Sequence, residues 1–448
     1  MMDSDRNEQA LVDAVRSAAL PLEHEGDCQA VLDLIGDAHF VLLGEASHGT
    51  HEFYAGRARI TQALIARKGF HAVAVEGDWP DAHRINRFVR GRGQDASVEA
   101  ALRGFRRFPT WMWRNADVVD FVGWLHEHNR SLPSSLREGF YGLDLYSLHS
   151  SMGEVLRYLE AEHPELAALA RERYACFDQF GEDSQLYGLL TGVRGMPGCA
   201  EQVVANLLDL RRRIDEAARA GEVDAEDAFD AEQNARLVGN AEAYYRSMYM
   251  SDVSSWNLRD AHMAQTLQAL ERHLGRHGEQ PKIVVWAHNS HLGDARATEM
   301  GERRGELNLG QLMRERHGSD AFLVGWSTHG GSVTAASDWD GPTRRMAVQP
   351  ARQDSYEHLM HATGMERFVL PLRTGPHLQG LREPRLERAI GVIYRPETER
   401  HSHYFHARLP DQFDALIHID HTCAVQPLEP GTHWRTEREA PETYPSGK

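Results

Sequence analysis

Apolar and polar positions change period several times along the 448 residues. HFVLLG at 39–44 is a continuous apolar run of strand length, and EFYAGRARITQALIARKGF after it sets Phe53, Ile60, Leu64 and Ile65 at helical spacing before Gly69. A short run with no polar face reads as a strand covered on both sides, and the 3.6-residue period reads as a covering helix. HAVAVEG gives the next strand and DWPDAHRINRFVRG the next helix, for which Asp78 is the expected N-cap and Pro80 lies in the first turn. The aromatic stretch FPTWMWRNADVVDFVGWLHEHN predicts a helix with buried tryptophans, and FYGLDLY a third strand. Further strands are expected at KIVVWAH, AFLVGWS, RFVLPL, AIGVIY and FDALIHI, with a helical lead-in over residues 7–35. Strands alternating with helices predict an α/β fold, a largely parallel central sheet flanked by helices.

Between the third and fourth strands the pattern becomes almost entirely helical and mixed in charge, which predicts a helical insertion or lid over 149–276. It divides an α/β catalytic domain into an N-terminal part, 1–148, and a C-terminal part, 277–428. The Pro-rich polar stretch 429–448 is expected to be a tail. A formal charge of −17 argues against a nucleic-acid surface, and no Lys/Arg block marks a membrane patch. No apolar run is long enough to span a bilayer, and the N-terminus lacks the charge and apolar order of a signal peptide. The expectation is a cytoplasmic protein acting on a small molecule, without nucleic-acid or membrane partners. Four cysteines without a C-x-x-C pair suggest reduced thiols and neither a disulfide framework nor a thiolate zinc site. No P-loop and no G-x-G-x-x-G follows a strand, so no nucleotide cofactor is expected.

Four strands end on chemistry: VLLGEASHGT, AVAVEGDW, FYGLDLY and IVVWAHNSH. Ligands of open α/β sheets bind beyond the carboxyl ends of strands, so Glu45, His48, Glu76, Asp78, Asp144, His288 and His291 are expected to converge in one cleft. A carboxylate beside an imidazole fixes its tautomer, as a water-activating base requires, and Glu45 with His48 fits that task. Helix capping by Glu45 is the plainer alternative. Glu76, ending a buried strand, needs a cation or a His. Arg57 or Arg59 could aim a guanidinium into the cleft, and His288 with His291 suits either a metal or a pair of proton-handling imidazoles. His401, His403 and His406 suggest a substrate wall or a surface. Ser47 is a poor nucleophile-elbow candidate, because Glu45 stands where that sharp turn wants Gly.

LLGEASHGTHEFY with Arg57, AVAVEGDW, GLDLYSL, WAHNSHLGDA and SHYFHARLPDQFDALIHID together resemble the erythromycin esterase family across about residues 38–428. The resemblance implies a carboxylic-ester or lactone hydrolase, macrolides being one candidate substrate and antibiotic resistance one role, working without metal or cofactor. It implies that His48 is the water-activating base, with Glu45, Arg57, Glu76 and His288 as further catalytic positions. His291, Asp144 and His403 are the expected substrate contacts. Arg57 or a protonated His288 would stabilise the oxyanion. A metal-dependent hydrolase, or a non-catalytic protein binding a small molecule or metal in the same cleft, is the alternative.

Overall fold

Alternation along the strands sorts their side chains onto two faces. Phe40, Leu42, Ala72, Ala74, Ile283 and Val285 join one core cluster, while Val41, Leu43, Val73, Val75, Val284 and Trp286 join the other. Both faces are covered, which is why these strands read as unbroken apolar runs. The computed structural model describes residues 2–23, 27–220, 225–275, 278 and 280–429. Its main sheet has eight strands: β1 (Leu20–Pro21), β2 (Phe40–Leu43), β3 (Ala72–Asp78), β4 (Gly139–Asp144), β5 (Ile283–Trp286), β6 (Ala321–Ser327), β7 (Arg367–Pro371) and β8 (Ala415–Ile419). Their order across the sheet is β1-β7-β8-β6-β2-β5-β3-β4. From β8 to β4 all neighbours are parallel, and β7 and β1 close one edge with antiparallel pairs. The fold is therefore α/β with a mostly parallel central sheet.

The helix His51–Lys68 stops where Gly69 adopts a left-handed conformation, φ 66°, a C-terminal cap that a residue with a Cβ adopts only under strain. From Leu148 to Leu274 the elements are helical, and Leu159, Val203, Val238, Met263 and Leu267 share a core with Phe40 and Leu42 of the sheet. These helices thus cover one sheet face. Among the described residues no helix is long and apolar enough to cross a membrane.

Two expectations need correction. AIGVIY is not a strand: Ile390 and Ile393 make only isolated bridges, to Ser47 and Ala336. The backbone of Ile390 is drawn onto the loop after β2, donating to Ala46 and accepting from His48. The preceding Arg385–Arg388 pairs instead with Tyr404–Ala407. Nor are all thiols reduced. Cys176 and Cys199 form a disulfide with Cα atoms 5.9 Å apart, brought together by packing around Phe177, Phe180 and Tyr187. Of the expected tail, 430–448 lies outside the described residues.

Candidate active site

Strands β4, β3, β5 and β2 are consecutive across the sheet, so their carboxyl ends bring Asp144, Glu76 with Asp78, His288 and Glu45 to one edge. The turn after β2 is tight. A Cβ on Gly49 would lie 1.8 Å from the Thr334 carbonyl oxygen, and one on Gly44 2.1 Å from Asn289 Oδ1. Only glycine allows this approach, which holds Glu45 and His48 between β2 and its helix.

His48 Nδ1 lies 2.9 Å from Glu45 Oε1, and Arg57 Nη2 lies 2.6 Å from Glu45 Oε2. A carboxylate only accepts, so Nδ1 carries the proton and Nε2 keeps its lone pair. That nitrogen is 3.9 Å from Glu76 Oε1. Arg57 is fully buried beneath the Tyr54 and Trp286 rings and does not line the cleft. Its expected place at an oxyanion is corrected: it stands behind Glu45, keeping that carboxylate company where water cannot reach.

A cation absent from the sequence reading takes the central position. Arg259, from the helix Asp252–Leu274, donates through Nη2 to Glu76 Oε1 at 2.6 Å and to Asp144 Oδ2 at 2.8 Å, and through Nε to Asp144 Oδ1 at 2.9 Å. Glu76 Oε2 accepts the His288 backbone N–H at 2.8 Å. Burial alone would raise the Glu76 carboxyl; His291 and Arg259 outweigh it and hold the group well below the usual carboxylate range.

The two histidines after β5 differ. Burial pushes His288 down to about 3, so it is neutral at pH 7. This corrects the expectation of a protonated His288. Its Nδ1 accepts from Ser290 N–H at 3.2 Å, which leaves the proton on Nε2. His291 stacks on Trp256 with ring centroids 4.5 Å apart and gives Nδ1–H to Asp260 at 2.9 Å. Burial opposes its charge, but Asp260 and Glu76 raise it to about 9. Arg259 Nη1 stands 2.9 Å from His291 Nε2, a contact that only the neutral ring accepts. The two observations conflict. The charge balance favours the imidazolium, because Glu76, Asp144 and Asp260 surround a single guanidinium; Arg259 then needs only to keep its donors on Glu76 and Asp144. A His raised from an unfolded value near 6.5 contributes stability that is fully present below about pH 6.5 and lost as pH rises through about 9. The melting temperature of Asp260→Asn should accordingly lie furthest below wild type near pH 6.5 and converge on it toward pH 9. A gap that stays constant over that range would assign the proton elsewhere.

His48, Glu76, Asp78, Asp144 and Arg259 line a cavity completed by Arg107, Tyr146 and an aromatic wall of Phe105, Phe108, Trp113 and Trp339. Trp113 belongs to the wall, while Trp111 is buried in the core. Asp78 occupies the N-cap position of Trp79–Val89, but its side chain makes no cap hydrogen bond. It accepts instead from Arg107 Nη2 at 3.0 Å and Nε at 3.2 Å. The strand runs on through Asp78, which turns the carboxylate toward the cleft. His403 is corrected as well: its Nε2 accepts the Arg395 N–H at 3.1 Å and its ring packs on Tyr394, away from the cavity. Ser47 faces Thr50, not a histidine. Among the described residues no group of three or more His, Cys, Asp or Glu is arranged to hold a metal.

The family model for erythromycin esterase matches residues 65–422. The chain belongs to the erythromycin esterase family. It is 22% identical to an Escherichia coli protein named erythromycin esterase type II, covering 85% of this chain and 91% of that one. It is 21% identical to YbfO of Bacillus subtilis (strain 168), which carries a hydrolase name, over 88% and 86% of the two chains. Among solved structures it is similar to a succinoglycan biosynthesis protein, with a TM-score of 0.76 at 21% identity over 94% and 98% of the chains. An erythromycin esterase mutant in its open conformation gives 0.61 at 17% identity over 88% and 93%. Family membership makes the chain a hydrolase-family protein, and the solved structures share its fold.

Proposed function

We propose that the chain hydrolyses a carboxylic ester or lactone with water activated by His48 and without a metal. The observation that carries the reading is the pairing of His48 Nδ1 with Glu45 while Nε2 faces the cavity near Glu76. Water between His48 Nε2 and Glu76 would give its proton to the imidazole, and the hydroxide would add to the ester carbonyl. Arg107 lines the cavity and has an Nη1 with no hydrogen bond to Asp78, so it, and not the buried Arg57, supplies the oxyanion donor. The imidazolium of His48 then returns the proton to the leaving alkoxide. Arg259 supports a metal-free mechanism, because its guanidinium fills the space among Glu76, Asp144 and His291 where a divalent ion would need those carboxylates.

A panel of chromogenic esters, simple lactones and macrolides, incubated with the purified protein with and without chelator, tests the proposal. Hydrolysis that survives exhaustive chelation is expected. Activity lost on chelation and restored by one ion would recast the same residues as ligands, and no hydrolysis across the panel would leave a binding protein.

Asp78 holds Arg107 and makes no cap hydrogen bond, so its substitution should act through Arg107. Glu76→Gln is expected to lower kcat, because Glu76 orients the water and adjoins both His48 and Arg259. Asp78→Asn should lower kcat less than Glu76→Gln does, by loosening Arg107, with a melting temperature close to wild type since no cap bond is lost. Steady-state kinetics on any active ester would separate the two; a kcat loss at Asp78 equal to that at Glu76 would place both in the chemistry.

A further inference from the structure

The cavity beside His48 adjoins a larger, more open groove, and Asp78, Asp81, Arg107, Phe108, Tyr146 and Trp339 line both. Along the groove wall stand five carboxylates, Asp78, Asp81, Glu182, Asp183 and Asp340, against Arg106 and Arg107. Asp183 is accounted for as the N-cap of Ser184–Gly188. Asp78, held by Arg107 through one oxygen, and Asp81 stand at the junction of the two spaces. Asp78 is only 6% exposed, accepts from Arg107 through Oδ2 and has no hydrogen-bond partner for Oδ1 among the described residues. Asp81 lies one helical turn on in Trp79–Val89, partly buried, and no hydrogen bond or ion pair among the described residues engages it. A carboxylate in such a place is unfavourable unless a cation arrives. The exposed face of Trp339, 54% exposed at the same junction, offers a second kind of cation contact.

We propose that Asp81, backed by Asp78 and faced by Trp339, recognises an ammonium group on the substrate, so that the cleft selects amine-bearing esters over neutral ones of equal size. This rests on the hydrolytic reading for the word substrate, but the recognition itself is independent of any reaction. The ammonium sits between the two carboxylates, and the Arg107 charge is already directed at Asp78. Burial, and then the Asp78 charge, raise Asp81 to about 7, while Arg107, Arg84 and Arg106 oppose that rise. A bound cation favours the ionised carboxylate, so binding should tighten as pH rises to about 7 and then level off.

Calorimetric binding of 2-phenylethylammonium and of 2-phenylethanol, near-isosteres that differ in charge, tests this on the full chain. The wild type should prefer the ammonium by about tenfold or more, and Asp81→Asn should abolish the preference while leaving phenylethanol binding unchanged. Below pH 7 the affinity for the ammonium should fall by up to about tenfold per unit in the wild type only. Asp340→Asn, which changes the groove's net charge equally, should keep the preference. No preference in the wild type, an undiminished one in Asp81→Asn, or an equal loss in Asp340→Asn would overturn the proposal. Neutral esters hydrolysed with no charge preference would reject ammonium recognition and keep the hydrolase. Ammonium binding at Asp81 without ester hydrolysis would do the reverse.

Discussion

A His48→Gln protein is expected to fold as the wild type does and to hydrolyse its substrate about 10²–10⁴-fold more slowly, the usual contribution of one positioned acid or base. Glutamine keeps a polar side chain of similar reach and can still donate to Glu45, so the buried Glu45–Arg57 pair keeps its neighbours. An amide nitrogen, unlike imidazole Nε2, has no lone pair basic enough to take a proton from water. The effect should fall on kcat, with the melting temperature within a degree or two of wild type. Ser47→Ala is the matching control: its hydroxyl bonds Thr50 and should be dispensable for turnover. Wild-type turnover in folded His48→Gln, or a trapped acyl-enzyme that Ser47→Ala removes, would end the water-activation mechanism.

The strand ends were legible because a parallel strand covered on both faces leaves an unmistakable apolar run, and the polar residue that ends it can only emerge at the sheet edge. Glu45, Glu76, Asp144 and His288 follow from that rule. Their convergence needs one further fact, the adjacency of β4, β3, β5 and β2, which the parallel pattern implies without fixing the order. Asp78 deceived because D-W-P carries every local mark of a cap, yet a tertiary partner, Arg107, is a stronger claimant for its carboxylate than a backbone N–H. Arg57 deceived in another way. Its position in the helix after His48 was right for the site, but the helix turns it inward beneath aromatic rings, behind Glu45 and away from the cleft.

Arg259 and Asp260 were hidden in a helical region where charged residues abound, and one more Arg-Asp pair reads as solvated surface. A signal was present. Trp256, Met263 and Leu267 form an apolar stripe at helical spacing, and Arg259 and Asp260 interrupt it on the buried side. Charges inside a buried stripe need partners from elsewhere, and at this sheet edge the partners are Glu76, Asp144 and His291. Cys176 and Cys199 gave no such sign, since a separation of 23 residues carries no pairing information until the helices between them are packed.

Arg259→Met should be the most damaging single change to stability, because it removes one cation from two buried carboxylates. Breaking a buried pair by deleting one partner typically costs about 3–5 kcal/mol, through the charge left behind. Here the Arg259 side chain is 13% exposed, with Glu76 at 3% and Asp144 at 5%. The sign of the pH dependence should reverse as well. In the wild type Glu76 is held below its unfolded value, so its stabilisation is complete above about pH 4.3 and lost as pH falls through the folded pKa. Without the guanidinium, Asp144 loses its main counter-charge and burial raises it, so that acidification protonates and relieves it. The variant should therefore melt far below wild type at pH 7 and recover part of the gap near pH 5, and Asp144→Asn added to it should restore further stability at pH 7. Calorimetric melting at the two pH values reads both effects. A variant that melts like wild type at pH 7, or loses stability on acidification in parallel with it, would mean that the strand-end carboxylates are held by something other than Arg259.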